Sequence, residues 1–296
     1  MEREPAVGTK PTTHPAAARR KPMGMSINIG LNGVDPNGYQ GWAGPLNGCE
    51  ADARDMQNIA TVRGITDSQL LLTRQATAAA VVSAISKAAT RLKTGDFLFL
   101  SYSGHGGQVP DHNGDERKDA LDETWCLYDR ELVDDELYAL WGTFASGVRI
   151  FVLSDSCHSG SATREYLRET KAAPDPLAEG RTIKGLDEQR ALEIYAAHKE
   201  MYDQLQKDNP HGNSAAVGAT VILISACQDE QTSLDGVSNG LFTEKLKEVW
   251  ADGDFTRDYR AFKRAIARKL PQRHHPNYFV VGAADPAFAQ QQPWTV

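Results

Sequence analysis

The chain has 296 residues, of which 41% are hydrophobic and 24% charged, and this balance excludes a protein that is disordered throughout. Acidic residues outnumber basic ones by 39 to 32, and the resulting net charge of −7 excludes the basic face of a typical nucleic-acid-binding protein. No apolar run approaches the roughly 18 residues that cross a membrane. No apolar leader opens the chain either, so we expect a cytoplasmic protein with no membrane contact.

Composition changes after the first 24 residues. Residues 1–24 are rich in proline, alanine, threonine and basic residues without apolar periodicity, which predicts a disordered tail before a folded region over residues 25–296. Four cysteines are too few for a disulfide framework in a chain of this length, so we expect free thiols. They are Cys49, Cys126, Cys157 and Cys227.

Short apolar runs alternate with helical patterns through the folded region. The runs are nearly continuous, which is typical of strands in a parallel sheet that is covered on both faces. The predicted strands are Met25–Leu31, Leu70–Thr73, Asp96–Tyr102, Arg149–Leu153, Thr220–Ser225 and Tyr278–Val281. The predicted helices are Glu50–Val62, Ala78–Leu92, Glu131–Phe144, Asn239–Trp250 and Asp258–Leu270. This alternation predicts an α/β fold with its ligand site at the carboxyl ends of the strands.

Two long connections interrupt the alternation. Pro110–Asp135 is an acidic insertion between a strand and a helix, and Thr163–Ser214 is a charged linker broken by prolines and glycines. One helical stretch is predicted within the linker, near Leu186–Lys207. Connections of this length are uncommon unless they are functional or disordered.

Two successive predicted strands end in residues that can carry nucleophilic chemistry. The third runs into Ser103–Gly107, which contains His105, and the fourth runs into Ser156–Gly160, which contains Cys157. A lone histidine or cysteine at such a place is more often a buried core residue. The pair at neighbouring strand ends, however, suits an imidazole that activates a thiol.

The residues next to this pair allow a substrate backbone to approach. The backbone amides of Gly106 and Cys157 are candidate donors to an oxyanion, because glycine leaves room beside the histidine. His158 is an alternative base, but we prefer His105 because side chains of adjacent turn residues diverge.

Four sequence blocks together resemble the metacaspases and bacterial orthocaspases, a family of caspase-like cysteine peptidases. The blocks are Tyr102–Gly107 (YSGHGG), Asp155–Gly160 (DSCHSG), Leu46–Ala53 (LNGCEADA) and Ser225–Ser233 (SACQDEQTS). The resemblance implies one caspase-like peptidase domain over residues 25–296. It also implies a central, mostly parallel six-stranded sheet flanked by helices on both faces. His105 and Cys157 match the catalytic dyad of the family.

The resemblance also implies an acidic specificity pocket for arginine or lysine. Matching positions place Cys49, Asp52, Ser103 and Asp155 in its lining. Two carboxylates suit a guanidinium or ammonium group, whereas a pocket for an acidic residue needs a basic lining. The alternative interpretations are a helix-start carboxylate for Asp52 and an ordinary strand-end residue for Asp155.

Calcium is the one cofactor that the resemblance suggests, although the chemistry itself requires none. The predicted ligands are Asp119, Asp122, Asp134 and Asp135 in the acidic insertion. Where the family has a further aspartate after the nucleophile, this sequence has Arg164. The alternative is a solvated acidic loop in which Asp134 and Asp135 cap a helix.

The long linker offers basic residues to a protease that prefers them. They are Arg164, Arg168, Lys171, Arg181 and Lys184, in a stretch that we expect to be flexible. Self-processing there is one hypothesis, and a passive surface insertion is the alternative.

The sequence as a whole predicts a cysteine endopeptidase that acts on proteins or peptides after arginine or lysine. We expect it to act as a monomer, as the resemblance implies. Two alternatives stay open at this stage. One is a non-catalytic caspase-like interaction module, and the other is a caspase-type protease that cuts after aspartate.

Overall fold

The computed structural model describes residues 20–112, 114, 120–157, 180–209, 217–226, 233–271 and 274–296. Several predictions from the sequence fall outside these ranges. They concern most of the tail 1–24 and the residues Asp119, His158, Arg164, Arg168, Lys171 and Cys227.

The described strands and helices are numbered here in chain order. The strands are β1 Gly24–Gly30, β2 Asp67–Leu72, β3 Phe97–Ser103, β4 Gly106–Pro110, β5 Leu121–Cys126, β6 Glu131–Val133, β7 Arg149–Asp155, β8 Thr182–Ile183, β9 Thr220–Ser225, β10 Leu234–Asp235 and β11 Asn277–Gly282. The helices are α1 Cys49–Val62, α2 Ala78–Arg91, α3 Asp134–Gly142, α4 Glu188–Ala197, α5 Lys199–Asp208, α6 Leu241–Trp250, α7 Tyr259–Ala267 and α8 Pro286–Ala289.

A six-stranded sheet forms the centre of the fold, in the order β11-β9-β7-β3-β1-β2. Every neighbouring pair is parallel except β11 and β9, which are antiparallel. Strands β3 and β7 occupy the middle, and all of their residues are buried. The predicted mostly parallel six-stranded sheet is therefore confirmed.

Helices cover both faces of this sheet because alternate strand residues point to opposite sides. On β3, Leu98 and Leu100 join a core with α2 and α3, whereas Phe97 and Phe99 join a second core with α1, α6 and α7. Trp294, near the carboxyl end, packs against Phe99 with a ring separation of 5.4 Å. The two cores explain why the strand sequences are apolar at nearly every position.

The register of the two central strands sets the position of the site. Ser103 at the end of β3 lies opposite Asp155 at the end of β7, and the strands are parallel. Their side chains therefore share one face of the sheet. His105 and Cys157 each follow two residues later, at the same edge.

The acidic insertion is more regular than we predicted. Its described part belongs to an antiparallel sheet in the order β4-β5-β6. The predicted helix Glu131–Phe144 is wrong at its start, because Glu131–Val133 pairs with Thr124–Cys126 as a buried strand. The helix itself begins only at Asp134.

The described part of the long linker contains two helices rather than one. Helices α4 and α5 meet at His198, whose non-helical φ of −121° and ψ of 21° breaks the predicted stretch. Their buried residues Ile194 and Tyr202 pack with Tyr39 and Val109 in a third apolar cluster. None of the described helices has the length and apolarity to cross a membrane.

Candidate active site

The imidazole of His105 is held at the end of β3 by a backbone carbonyl. Its Nε2 atom lies 3.1 Å from the carbonyl oxygen of Gly44. Since a carbonyl oxygen only accepts hydrogen bonds, Nε2 carries the proton and donates it. The other nitrogen, Nδ1, is buried without a hydrogen-bond partner and is left as the basic atom of the ring.

The loop that supplies this carbonyl was missed in the sequence. Trp42 stacks obliquely on His105, with ring centroids 4.7 Å apart. Gly44 has a φ of +50°, and a Cβ atom there would lie 3.1 Å from Cδ2 of His105. Glycine is therefore required for this close approach. The only signal in the sequence was the glycine itself, and no motif linked it to His105.

Burial keeps the imidazole neutral at physiological pH. Removal from water lowers the pKa of His105 from 6.5 to about 4, and the positive charge of Lys184 adds to this effect. The backbone groups of Gly44 and Gly185 oppose it in part. A neutral imidazole with Nδ1 unprotonated is the form that can accept a proton from a thiol.

The depressed pKa of His105 predicts a loss of stability in acid. Because the unfolded chain protonates this histidine near pH 6.5 and the folded chain only near 4, the free energy of unfolding should fall as the pH drops through this window. Since a tenfold change in a protonation equilibrium corresponds to about 1.4 kcal/mol, we expect this histidine to account for a loss of roughly 2–3 kcal/mol on acidification from neutral pH to the lower end of the window. Denaturant titrations of Cys157→Ala with and without His105→Gln measure it.

The double variant isolates the contribution of this histidine. Glu131, whose pKa burial raises to about 7, acts in the opposite sense, but it is present in both chains. The chain with His105→Gln should therefore lose less stability on acidification. Equal losses in both chains would contradict the assigned protonation state.

The thiol of Cys157 is buried at the end of β7 and contacts the backbone of Ser233. Its Sγ atom donates to the Ser233 carbonyl oxygen at 3.4 Å and accepts from the Ser233 amide. No hydrogen bond joins it to His105 in the part of the chain that the structure describes. The thiol of Cys157 is therefore engaged with the Ser233 backbone in this structure.

The two predicted oxyanion donors converge on one oxygen atom. The amides of Cys157 and Gly106 both donate to the carbonyl oxygen of Lys184, at 2.9 and 3.2 Å. Two backbone amides that point at a single carbonyl oxygen have the geometry of an oxyanion hole. The shared acceptor also shows that the backbones of Gly106 and Cys157 border the same small space.

Beside this space, a deep pocket holds the ammonium group of Lys184. Its Nζ atom lies 3.0 Å from Asp52, 3.2 Å from Asp155 and 2.9 Å from the hydroxyl oxygen of Ser103. All four side chains are buried, and Lys184 is 0% exposed. The expectation that Lys184 lies in a flexible stretch is therefore wrong, because two carboxylates hold it.

Charge balance explains why a lysine can be buried here. Burial alone acts to lower the pKa of Lys184, but the carboxylates of Asp155 and Asp52 outweigh it and raise the pKa well above its ordinary value. The lysine is therefore charged at any physiological pH. The pocket is built for a cation.

Further hydrogen bonds hold the two carboxylates in place. Asp52 accepts from the side-chain amide of Asn239 at 2.9 Å and from the backbone amide of Gly240 at 3.0 Å. Asp155 accepts from the hydroxyls of Ser233 at 2.6 Å and Thr243 at 2.7 Å. Sequence analysis gave these residues no role in the pocket. Ser233 stood there only as the last residue of the Ser225–Ser233 block, and Asn239, Gly240 and Thr243 belong to no motif.

Cys49 lies beside the pocket. Its sulfur contacts Asp235 at 3.8 Å, and burial raises the pKa of its thiol well above the ordinary value. Asp235 in turn accepts from the amides of Asn47 and Gly48 at 2.6 and 3.0 Å. This network ties the start of α1 to β10 and so fixes Asp52, one turn further along the helix.

The predicted calcium ligands are only partly described. Asp122 is buried on β5, and Asp134 and Asp135 open helix α3, where Asp135 is buried. Among the described residues, no three histidine, cysteine, aspartate or glutamate side chains converge in a way that could hold a metal ion. These residues alone do not fit a calcium site, so no catalytic step is assigned to the ion.

The six-stranded sheet, with His105 and Cys157 after its two central strands, has the arrangement predicted for a caspase-like cysteine peptidase. The comparison with family models agrees. The chain belongs to the caspase domain family (Peptidase_C14), whose model matches residues 34–296. Metacaspase relatives of the chain support its assignment to the metacaspases and orthocaspases within this family.

Curated relatives and solved structures show how far the similarity extends. Metacaspase-1 of Mycosarcoma maydis is 31% identical over 248 residues, which cover 74% of this chain and 59% of that protein. Metacaspase-1A of Aspergillus oryzae is 31% identical over 256 residues, covering 76% and 58%. The chain thus spans less than two thirds of the length of these relatives.

Two crystal structures resemble the fold. A protein from Geobacter sulfurreducens is 48% identical, with a TM-score of 0.83, and the match covers 93% of this chain and 99% of that one. Caspase-1 of Spodoptera frugiperda is 13% identical with a TM-score of 0.51, over 88% and 87% of the two chains. The second likeness concerns the fold alone.

Proposed function

We propose that this protein is a cysteine endopeptidase that hydrolyses peptide bonds after lysine or arginine, with Cys157 as nucleophile and His105 as general base. The observation that carries the proposal is the pocket beside Cys157, where Asp52 and Asp155 hold a fully buried lysine ammonium group. A substrate lysine in the same place would bring its carbonyl group to the amides of Gly106 and Cys157.

The described groups account for each step of such a hydrolysis. Nδ1 of His105 takes the thiol proton of Cys157, and the sulfur attacks the carbonyl carbon of the substrate. The amides of Gly106 and Cys157 stabilise the negative charge on the oxygen. His105 returns the proton to the leaving amine while Gly44 keeps the ring in place, and water then hydrolyses the thioester.

Electrostatics supports lysine or arginine over aspartate as the residue before the cut. An aspartate side chain in this pocket would add a third carboxylate to Asp52 and Asp155 without a cation, which costs several kcal/mol in a buried site. The planar guanidinium of arginine can bind two carboxylates at once.

A panel of short fluorogenic peptides that end in arginine, lysine or aspartate tests this proposal. We expect kcat/KM for the basic peptides to exceed that for the aspartate peptide by at least about 100-fold, equivalent to two buried charge contacts of modest strength. The Cys157→Ala chain is the matched control and should cleave none of them. Equal cleavage of all three peptides would overturn the assigned specificity.

Calcium stimulation is a separate part of the proposal. Its support is the chemistry of the acidic insertion, which carries carboxylates at Asp122 on β5 and at Asp134 and Asp135 in the first turn of α3, because a hard cation prefers oxygen ligands. The same panel in calcium and in a chelator tests it. Equal rates in the two solutions would contradict the proposed stimulation by calcium.

A further inference from the structure

The residue pair before helix α6 meets helix α1 behind the acidic pocket. The side-chain amide nitrogen of Asn239 donates to Oδ1 of Asp52 and to Oδ2 of Asp55, both at 2.9 Å. Asp52 and Asp55 lie three residues apart on α1, so their side chains are neighbours on the surface of that helix. One amide group therefore joins a carboxylate of the pocket to a second carboxylate on the same helix.

Lys247 on α6 fixes the direction in which this amide group points. Its Nζ atom donates to the side-chain oxygen of Asn239 at 3.1 Å and to Oδ2 of Asp55 at 2.6 Å. Because an ammonium group only donates, Asn239 turns its oxygen towards Lys247 and its nitrogen towards the two carboxylates. The hydrogen bonds thus run from Lys247 through Asn239 to Asp52.

The two oxygen atoms of Asp52 have different partners. Oδ1 accepts from Asn239, whereas Oδ2 accepts from the Ser103 hydroxyl at 2.7 Å and from the Lys184 ammonium group at 3.0 Å. The backbone amide of Gly240 lies 3.0 Å from Oδ1 and 3.2 Å from Oδ2. Asn239 therefore holds one oxygen of the carboxylate while the other binds the cation.

Two glycines let Asn239 and Gly240 lie this close to the pocket. A Cβ atom on Gly48, just before α1, would lie 2.9 Å from the carbonyl carbon of Asn239. A Cβ atom on Gly240 would lie 2.5 Å from Oδ2 of Asp155. A larger side chain at either position would push Asn239 away from α1 or from the pocket, so close packing fixes its place.

Electrostatics shows what the amide does for Asp52. Burial raises the pKa of Asp52 and so does the Asp155 carboxylate, whereas Lys184 and the hydrogen bonds from Ser103 and Asn239 lower it. A donor that binds the ionised carboxylate favours that form. The titratable groups that lie around Asp52 are Asp155 on β7, Lys184 after β8, Asp235 on β10, Cys49 and Asp55 on α1, and Lys247 on α6.

We infer that Asn239 is a positioning residue of the specificity pocket, and that Lys247 and Asp55 act through it. Asn239 keeps Asp52 ionised and directs one of its oxygens at the cation, so it controls how tightly lysine and arginine side chains bind. This inference deepens the proposed function and rests on it.

Asn239→Ala tests the positioning role with fluorogenic peptides that end in lysine or arginine. We expect KM to rise about 10-fold while kcat stays within about 3-fold of wild type, because the lost hydrogen bond strengthens binding of substrate and transition state alike. Lys247→Met should raise KM by about 2- to 3-fold, since it leaves the amide in place but no longer orients it. Lys245→Met is the matched control and should behave as wild type, because Lys245 lies on the same helix and pairs with Glu244 and Glu248.

The pH profile separates positioning from general damage to the fold. Without its amide donor, Asp52 should take up a proton at a higher pH, so kcat/KM of Asn239→Ala should begin to fall at a higher pH on acidification than kcat/KM of wild type. Weaker packing alone would lower kcat/KM at every pH without moving this acidic limb. An acidic limb at the wild-type pH would therefore contradict the inference.

A double-variant cycle tests whether Asn239 acts through Asp52. In a chain that carries Asp52→Asn, the further change Asn239→Ala should alter KM by less than about 2-fold, because the carboxylate that it positions is already gone. Losses that multiply would show two independent effects and would overturn the inference.

The outcomes separate this inference from the proposed function. If wild type cleaves neither lysine nor arginine peptides, the proposed function itself fails. If wild type cleaves them and Asn239→Ala keeps its KM, only the inference fails. Thermal unfolding shows whether each variant is folded. If Asn239→Ala is not, the KM and the acidic limb of Lys247→Met decide the question, because Lys247 is only half-buried.

Discussion

Replacement of Cys157 by alanine should lower kcat for lysine and arginine peptides by about 10⁵-fold or more, because in the proposed mechanism its thiol is the group that forms the thioester. His105→Ala should cost about 10³- to 10⁴-fold, the usual contribution of a positioned general base and acid. Steady-state rates with a lysine-ended fluorogenic peptide measure both losses.

Cys126→Ala is the matched control for the loss of a cysteine. Cys126 is a buried free thiol on β5, and its backbone amide donates to the His105 carbonyl oxygen at 2.9 Å. An alanine keeps this backbone contact, so the substitution deletes only side-chain packing. It should keep kcat within a few-fold of wild type. If Cys126→Ala were as inactive as Cys157→Ala, loss of folding and not of the nucleophile would explain both results.

Removal of either carboxylate from the pocket should produce the second largest effect. Asp155→Asn or Asp52→Asn keeps the size of the side chain but leaves a buried cation with one charged partner. The loss of one partner from a buried ion pair costs about 3–5 kcal/mol, which corresponds to a loss between about 10²-fold and nearly 10⁴-fold in kcat/KM for lysine and arginine peptides.

Glu248→Gln removes an exposed carboxylate of α6 that pairs with Lys245 and Lys269. It serves as the control for a lost surface carboxylate and should behave as wild type. Thermal unfolding of each variant shows whether the fold survives. Asp155→Asn with full activity on arginine peptides would show that the assigned pocket does not bind the substrate side chain.

The strand ends were the part of the site that the sequence predicted best. Strands β3 and β7 are apolar at nearly every position, so their burial and parallel pairing could be predicted from pattern alone. The turns rich in glycine and serine that follow these strands then led to His105 and Cys157. Ser103 and Asp155 came from the resemblance to the metacaspases, and the structure places them opposite one another.

Contacts between distant segments could not be predicted in this way. Lys184 is separated from Asp52 by 132 residues, and in the sequence it was one of several basic residues of a broken linker. Only the folded chain shows that it is the one buried between two carboxylates. Glu131–Val133 was mistaken for helix for a related reason, because its pairing with β5 depends on tertiary contacts and not on local preference.

The residues that hold the proposed catalytic groups in place could likewise not be predicted from the sequence. Gly44 lies 61 residues before His105 and contributes a carbonyl oxygen, which no side-chain motif can indicate. Ser233 and Thr243 hold Asp155 through single hydroxyl groups. Hydroxyl residues are common in loops and helix starts, so their role appears only from geometry.

Covalent labelling tests in one measurement whether the Cys157 nucleophile and the acidic pocket belong to the same active site. A peptide ending in lysine with a thiol-reactive ketone should add one equivalent to the chain, and peptide mapping should place it on Cys157. An aspartate-ended reagent should react far more slowly, and Asp155→Asn should slow the lysine reagent. Modification of Cys49 or Cys126 in place of Cys157, or equal rates with both reagents, would contradict the account.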